Sequence, residues 1–217
     1  MTERCKLFHG IAPQRLTNLL SALNVSRRSY GDGQIILAQG ERTESLGVVE
    51  NGSIDALHYT ADGNKSLISQ LGTGQVFADF IAASASKESP VTLTAQGDCT
   101  VLLIPLKGLF SAPDGFETEM RTLMTNLVGI YADQYFELKN RVFCITAPSL
   151  REKILRFLSL QQEKAKSAVI NLPMSRERMA TYLNTERSAL SRELMRMKNE
   201  GIIDCKGRQF ILKINRK

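Results

Sequence analysis

The chain has 217 residues, of which 43% are hydrophobic and 23% are charged, a balance typical of a soluble globular protein with one or two domains. No apolar run approaches the ~20 residues that a membrane-spanning helix needs, and Met1–Phe8 lacks the apolar stretch of a secretory signal. We therefore expect no membrane segment and a cytoplasmic location.

The net charge of +6 is distributed unevenly along the chain. Residues 1–140 carry 11 basic and 15 acidic side chains, whereas residues 141–217 carry 17 and 7, which gives net charges of −4 and +10. A strongly basic C-terminal part indicates a polyanionic partner, with nucleic acid as the first candidate and an anionic membrane surface as the second. A basic face that meets only solvent is the third alternative.

Cysteine and histidine are too sparse for the usual metal sites. The four cysteines, at positions 5, 99, 144 and 205, form no Cys-x-x-Cys motif, and His9 and His58 are the only histidines. Zinc sites and disulfide frameworks need closer groups of these residues. We therefore predict no metal site, no catalytic residue and no enzymatic activity.

The N-terminal half changes from a helical to a strand pattern. Residues 7–23 have apolar side chains at helical intervals, with Pro13 near a helix start. From Tyr30 to Pro105, short apolar runs alternate with glycine-containing turns, which is typical of an antiparallel barrel or sandwich. Asn51-Gly52 and Asp62-Gly63 predict hairpins, because both central residues of such turns must tolerate positive φ. The predicted strands are Gln34–Leu37, Leu46–Glu50, Ser53–Tyr59, Ser66–Leu71, Val91–Ala95 and Thr100–Ile104.

A long helix is predicted over Phe116–Val142, where two apolar stripes recur at helical spacing. One stripe consists of Met120, Leu123, Leu127 and Ile130, and the other of Met124, Val128, Tyr131, Tyr135 and Leu138. This apolar surface exceeds what one barrel can cover, so a second copy of the helix is expected to cover the rest, with the first stripe assigned to the dimer. The alternative is that both stripes pack within one subunit. A hinge is predicted near Arg141–Ser149, before another helix over Leu150–Lys166.

The pattern of Leu172–Lys217 predicts a winged helix-turn-helix. Ser175 is a good N-cap for a short helix, and Asn184-Thr185 makes a tight turn before a second helix that ends at Gly201. Strands Ile202–Cys205 and Gln209–Ile214 would form the wing. Leu190, Leu194 and Met197 mark the buried side of the second helix. The opposite face carries Arg187, Ser188, Ser191 and Arg192, and the wing tip carries Lys206 and Arg208. Arginine and serine can bind base edges in the major groove.

The segments Ser175–Ala180 and Glu186–Leu194 resemble the helix-turn-helix of the Crp/Fnr family, the relatives of the catabolite activator protein and the fumarate-nitrate regulator. The resemblance covers essentially the whole chain. It implies an α+β fold with an N-terminal antiparallel β-roll like that of cyclic-nucleotide-binding domains, a long dimerisation helix and a C-terminal winged helix-turn-helix. The predicted domains are 1–115 for effector sensing, 116–145 for dimerisation and hinge, and 146–217 for DNA binding.

The resemblance also implies site residues. DNA contacts are predicted at Ser175, Arg176, Thr185, Arg187, Ser188, Ser191, Arg192, Lys206 and Arg208. The effector pocket is predicted at Phe77, Ala78, Asp79, Phe80, Ser89, Pro90 and Val91. Ser188 stands where the family usually has glutamate, so we expect a different half-site.

The predicted pocket departs from the cyclic-AMP pattern. Ala78-Asp79 and Ser89-Pro90 stand where cyclic-AMP binders have Gly-Glu and Arg-Ser, and a buried phosphate without a cation would be unfavourable. We expect no cyclic-AMP binding. Cys5 alone cannot hold the iron–sulfur cluster of the oxygen-sensing branch, and His58 is interpreted as structural rather than as a haem ligand. No cofactor is predicted. An organic or aromatic acid as effector and a redox role for a cysteine stay open.

The sequence thus predicts a homodimeric regulator that binds a palindromic site in double-stranded DNA and is controlled by an unidentified effector in the β-roll. RNA polymerase is a candidate partner. The enzymatic alternative, a small cupin-like barrel, would need several inward-facing histidine and acidic residues, which two distant histidines do not supply. A sensor that regulates by protein contact alone is the third hypothesis, and the arginine-bearing helix face argues against it.

Overall fold

A computed structural model describes residues 5–213, which form two compact units that divide between Tyr131 and Ala132. The division falls inside the long helix, so the three-part domain scheme stays a prediction. Ile214, assigned by sequence to the last strand, lies outside the described residues. Among residues 5–213, no helix is both long and apolar enough to cross a membrane.

The first unit contains an antiparallel β-roll with helices at both ends of its sequence, as the sequence predicts. The helical prediction for residues 7–23 is confirmed from Pro13, the first residue of its helix, but Gly10 has a positive φ of 81° and interrupts the pattern before it. The elements are a 3-10 turn Lys6–Phe8, α1 Pro13–Ala22, β1 Ser26–Tyr30, β2 Ile35–Leu37, β3 Ser45–Tyr59, β4 Lys65–Gly72, β5 Val76–Phe77, α2 Asp79–Ala83, β6 Thr92–Pro105 and α3 Leu106–Leu109, before the long helix α4, Glu117–Ile145.

Strands β3 and β6 are long and continuous, so the predicted hairpin at Asn51-Gly52 is wrong. The sheet order is β1-β6-β3-β4, with β2 paired to β6 and β5 paired to β3. β6 pairs with β3 on both sides of Asn51-Gly52, and the register shifts there. Gly52 has φ +86°, and a Cβ at this position would lie 2.5 Å from the Asp98 carbonyl oxygen. The glycine therefore permits a close approach of two strands at a bulge rather than a turn.

The hairpin predicted at Asp62-Gly63 is confirmed. Residues 60–64 connect β3 to β4, and Gly63 has φ +82°. The Asp62 carboxylate accepts a hydrogen bond from Asn64 Nδ2 at 2.5 Å and another from the Thr60 hydroxyl. These bonds hold the Asp62 carboxylate in its charged form and lower its pKa.

The assignment of the first stripe of α4 to the dimer is wrong, because the same subunit covers that stripe. Met120, Leu123 and Leu127 are at most 4% exposed, and they belong to a core that includes residues of the N-terminal segment and α1. Ile130 packs against this core and is partly buried. Asn126 Nδ2 donates to the backbone carbonyls of residues 7 and 9, at 3.0 and 2.8 Å, which fixes the N-terminal segment over this face.

The second stripe of α4 is the more exposed one, although Met124 and Tyr131 are partly buried against the core of the first unit. Val128, Tyr135 and Leu138 are each more than 60% exposed, and Val142 is 46% exposed. Tyr131 completes a 3-4-3-4 spacing from residue 128 to residue 142. This repeat is the heptad pattern by which helices pair in coiled coils.

The second unit comprises the remainder of α4 and a winged helix-turn-helix. Ser149 begins α5 as an N-cap, because its hydroxyl accepts a hydrogen bond from the Glu152 backbone at 3.2 Å. The core residues of this unit include Phe157, Leu190 and Phe210, all at most 1% exposed. Its elements are α5 Leu150–Ala165, β7 Val169–Asn171, α6 Arg176–Tyr182, α7 Arg187–Asn199, β8 Ile203–Lys206 and β9 Gln209–Leu212, with sheet order β7-β9-β8. The short strand β7 was not predicted from the sequence.

Candidate nucleic-acid interface and effector region

Local sequence signals determine where the two helices of the helix-turn-helix begin. The Ser175 hydroxyl accepts from the Arg178 backbone at 3.2 Å and begins α6, which confirms the predicted N-cap. Asn184 takes the left-handed conformation with φ 49°, which produces the tight turn. The sequence predicts a start of this second helix at Thr185 or Glu186, and α7 begins one or two residues later, at Arg187.

The C-terminus of α7 is closed by Gly201, as predicted. Gly201 has φ +73°, its backbone N–H donates to the Lys198 carbonyl at 3.0 Å, and the Ile202 N–H donates to the Met197 carbonyl at 3.0 Å. This pair of bonds is a Schellman motif, which satisfies carbonyls that the helix end leaves without partners.

The two faces of α7 differ in burial and in chemistry. Leu190, Leu194 and Met197 are completely buried, which confirms the predicted apolar face. On the other side, Arg187, Ser188 and Arg192 are exposed, and Ser191 is half-buried. Thr185, in the turn before α7, is half-buried too. The helix thus presents two guanidinium groups and two hydroxyls near its N-terminal end, where a groove-binding helix contacts bases.

The wing is bonded directly to α7. Lys198 Nζ lies 3.0 Å from Asp204 Oδ1 and donates to the Cys205 carbonyl at 2.9 Å. Pairing with Asp204 raises the pKa of Lys198. Lys206 and Arg208 flank the turn of the wing and are exposed. Lys198 therefore links α7 to β8, next to the wing tip, through an ion pair and a hydrogen bond that were not predicted from the sequence.

Arg176 is held against the wing rather than extended into solvent. Its guanidinium carbon lies 5.7 Å from the centroid of the Phe210 ring, and Nη2 lies 3.8 Å from Cys205 Sγ. The side chain is half-buried. Its assignment to DNA stays a prediction, as does that of Ser175, whose hydroxyl caps α6.

The predicted effector residues differ in accessibility. Phe77, Ala78, Asp79 and Ser89 are buried, Phe80 and Pro90 are exposed, and Val91 is half-buried. Ser89 Oγ donates to the Val91 carbonyl at 2.6 Å, so its hydroxyl hydrogen is committed to the backbone. The cation in the same loop, Lys87, pairs with Glu44 at 2.6 Å. This pairing lowers the pKa of the Glu44 carboxyl.

Asp79 connects α2 to α4 within the first unit. Its carboxylate bonds to the Tyr131 hydroxyl, and the Phe80 ring packs on the Tyr131 ring with centroids 4.7 Å apart. Burial raises the pKa of Asp79, and burial together with the Asp79 charge raises the pKa of Tyr131 to about 12. Tyr131 was not predicted as an effector-region residue, although its place in the second stripe of α4 was visible in the sequence.

Comparison with known proteins assigns both units. Residues 27–112 match the cyclic nucleotide-binding domain, and residues 152–216 match the Crp-like helix-turn-helix domain. The chain belongs to the Crp/Fnr family of transcription regulators.

Two curated relatives and one solved structure are similar to the chain over most of its length. The transcriptional activator protein FnrL of Cereibacter sphaeroides is 21% identical over 197 residues, covering 85% of this chain and 75% of the relative. A probable transcriptional activator of Rhizobium leguminosarum bv. viciae is 23% identical over 217 residues, covering 96% and 87%. The c-di-GMP responsive global regulator CLP of Xanthomonas campestris has a similar fold, with a TM-score of 0.58, 16% identity and coverage of 94% and 100%.

The Crp/Fnr assignment confirms the predicted class. The chain is a transcription regulator with a DNA-binding helix-turn-helix and a cyclic-nucleotide-binding-like domain, and its homologues are not enzymes. Within residues 5–213, no group of three or more histidine, cysteine or acidic side chains is arranged to hold a metal ion.

Proposed function

We propose that this Crp/Fnr regulator acts as a cytoplasmic homodimer that reads a palindromic operator with one α7 from each copy. The observation that carries the proposal is the two-faced character of α7. Its apolar side is completely buried, and its exposed side presents Arg187, Ser188 and Arg192 beside a basic wing. The major groove of DNA admits an α-helix, and a basic polar face on such a helix can bind phosphates and base edges.

The exposed side chains divide into two roles. Arg187, Ser188, Ser191 and Arg192 would contact base edges, because guanidinium groups fork onto guanine and hydroxyls bind several edges. Lys206 and Arg208 on the wing would contact phosphates, which fixes register without reading sequence. Ser175, Arg176 and Thr185 lie at the N-terminal ends of the two helices, where backbone N–H groups also favour phosphate.

A second copy of the chain would cover the exposed heptad of α4. Val128, Tyr135, Leu138 and Val142 are exposed apolar residues on one stripe, and water is an unfavourable neighbour for such a surface. Pairing of two α4 helices would bury these side chains and set the distance between the two α7 helices. DNA binding then requires that distance to match about one helical turn.

The effector would be a small molecule other than cyclic AMP, bound in the β-roll. The Ser89 hydroxyl is committed to the backbone and Lys87 is paired with Glu44, so these groups are poorly placed to neutralise a cyclic phosphate. The Asp79–Tyr131 bond links the region to α4, where an effector would shift the population of conformations that bind DNA. Calorimetry with cyclic AMP should show no micromolar binding, and micromolar affinity would contradict this part of the proposal.

Selection of bound sequences from random duplex DNA by the purified protein tests the DNA role. At a stated salt concentration, we expect a palindrome whose half-sites lie about 10 base pairs apart. The selection is repeated with cell metabolite extract, which supplies candidate effectors. Absence of enrichment under both conditions would overturn the proposal. RNA polymerase is the proposed partner of the DNA-bound dimer.

A further inference from the structure

Arg151, in the first turn of α5, binds two carboxylates of the recognition helix. Its Nε lies 2.7 Å from Glu193 Oε1, and its two terminal nitrogens lie 2.6 and 3.0 Å from the two oxygens of Glu200. Glu200 also accepts from Arg196 Nε at 3.2 Å, which is a contact within one helix. Arg151 is thus the group that connects this acidic pair to a different element.

The position of this guanidinium is not explained by the stability of the helices that carry the charges. A cation in the first turn of α5 and an anion at the C-cap of α7 both lie at the unfavourable end of the helix dipole. The charges therefore stabilise each other rather than their own helices. The contact with Arg151 lowers the pKa of Glu200, so the carboxylate stays charged and paired at neutral pH.

The geometry constrains rotation of α7. Glu193 and Glu200 are seven residues apart, which places them on the same side of the helix and about 10 Å apart along its axis. A planar guanidinium that binds both carboxylates restrains this side of α7 at two levels. Arg192 is the residue before Glu193. A rotation of α7 about its axis would therefore move the Arg192 guanidinium group sideways across the major groove of bound DNA.

We propose that Arg151 is a positioning residue, which sets the rotation of α7 and thereby the sequence discrimination of Arg192. The proposal rests on the proposed function of α7 as the reading helix. In this proposal Arg151 acts through Glu193 and Glu200 of α7 and not by contact with a base. The competing explanation is electrostatic, because two unpaired carboxylates on α7 would repel DNA phosphates. The two explanations predict different behaviour when both carboxylates are neutralised together with Arg151.

The experiment measures binding of the full-length protein to its selected operator and to random duplex DNA at one salt concentration. Arg151→Gln should lower the ratio of operator affinity to random affinity about tenfold. The variant R151Q/E193Q/E200Q removes the unpaired carboxylates. We expect it to recover affinity for random DNA but not the affinity ratio, because the two-point restraint is still missing.

A matched control is Lys164→Gln, which also removes one cation of the second unit. The ion pair of Lys164 is with Glu137 of α4, at 2.9 Å, and not with a carboxylate of α7, so the affinity ratio should not change. If R151Q does not fold, Arg151→Lys carries the test. It keeps the charge but lacks the fork, so the affinity ratio should fall while affinity for random DNA is retained.

Three outcomes would overturn the positioning role. One is an unchanged ratio in the folded Arg151 variant, and another is full recovery of the ratio in the triple variant, which would assign the effect to charge alone. The third is absence of discrimination by the unaltered protein, which would overturn the proposed function and the positioning role together. A loss confined to the Arg151 variants leaves the proposed function intact.

Discussion

Helices α4 and α7 both bury one apolar face, but their opposite faces carry different chemistry. The exposed side of α7 has Arg187, Ser188 and Arg192, whereas the exposed side of α4 continues the apolar pattern through Val128 and Leu138. The buried face of α4 packs in the core of the first unit, and the buried face of α7 packs in the core of the second unit. We expect the remaining exposed face to select the partner of each helix, a polyanion for α7 and another apolar surface for α4.

The largest expected effect comes from the buried face of α7. Leu194→Ala should lower the free energy of unfolding by about 2–5 kcal/mol, because Leu194 is completely buried and its removal leaves a cavity. Urea denaturation followed by circular dichroism measures the change. Met195→Ala, at an exposed neighbour, is the control and should change stability by no more than about 0.5 kcal/mol. Equal effects of the two substitutions would contradict the assigned faces.

The buried face of α4 should respond similarly. Leu123→Ala should destabilise the protein by about 2–5 kcal/mol, since Leu123 is completely buried in the core of the first unit. Denaturant unfolding at several protein concentrations separates subunit stability from dimer stability. The predicted loss is independent of concentration. A loss that disappears at high concentration would show that Leu123 belongs to the dimer interface after all.

A charged side chain on the exposed face of α4 tests whether this face is the dimer interface. Leu138→Asp should weaken self-association about a hundredfold, because like charges would meet in a paired apolar stripe. Analytical ultracentrifugation measures the dimer dissociation constant. Asn140→Asp introduces the same side chain and the same charge on the side of α4 opposite to Leu138, and it should leave association nearly unchanged. A Leu138→Asp variant that associates as tightly as the unaltered protein would rule out this stripe as the interface.

Helical periodicity made the helix-turn-helix predictable, because its structure depends on local signals. The Ser175 cap, the left-handed Asn184 and the Gly201 terminus all act within a few residues of their own position. The buried stripe of α4 could not be chosen in the same way. Two stripes had equal periodicity, and the choice depended on contacts with residues more than one hundred positions earlier, such as the bond from Asn126 to the Leu7 carbonyl.

Long-range pairing also explains the error in the β-roll. Asn51-Gly52 has the composition of a hairpin turn, but β6 runs beside both halves of β3 and keeps them in one strand. The sequence predicted a positive φ at Gly52. It did not reveal that Gly52 lies close to the Asp98 carbonyl oxygen, which leaves no room for a Cβ atom. The link from Asp79 to Tyr131 was invisible for the same reason, because it joins residues 52 positions apart.

The exposed face of α7 provides the most direct test of the account. Binding to the selected operator and to random duplex DNA is compared for Arg192→Ala and Lys206→Ala at one salt concentration. The account predicts that Arg192→Ala loses about 1–3 kcal/mol on the operator and much less on random DNA, whereas Lys206→Ala weakens both about equally. Equal losses on both DNAs for Arg192→Ala would contradict base reading by α7.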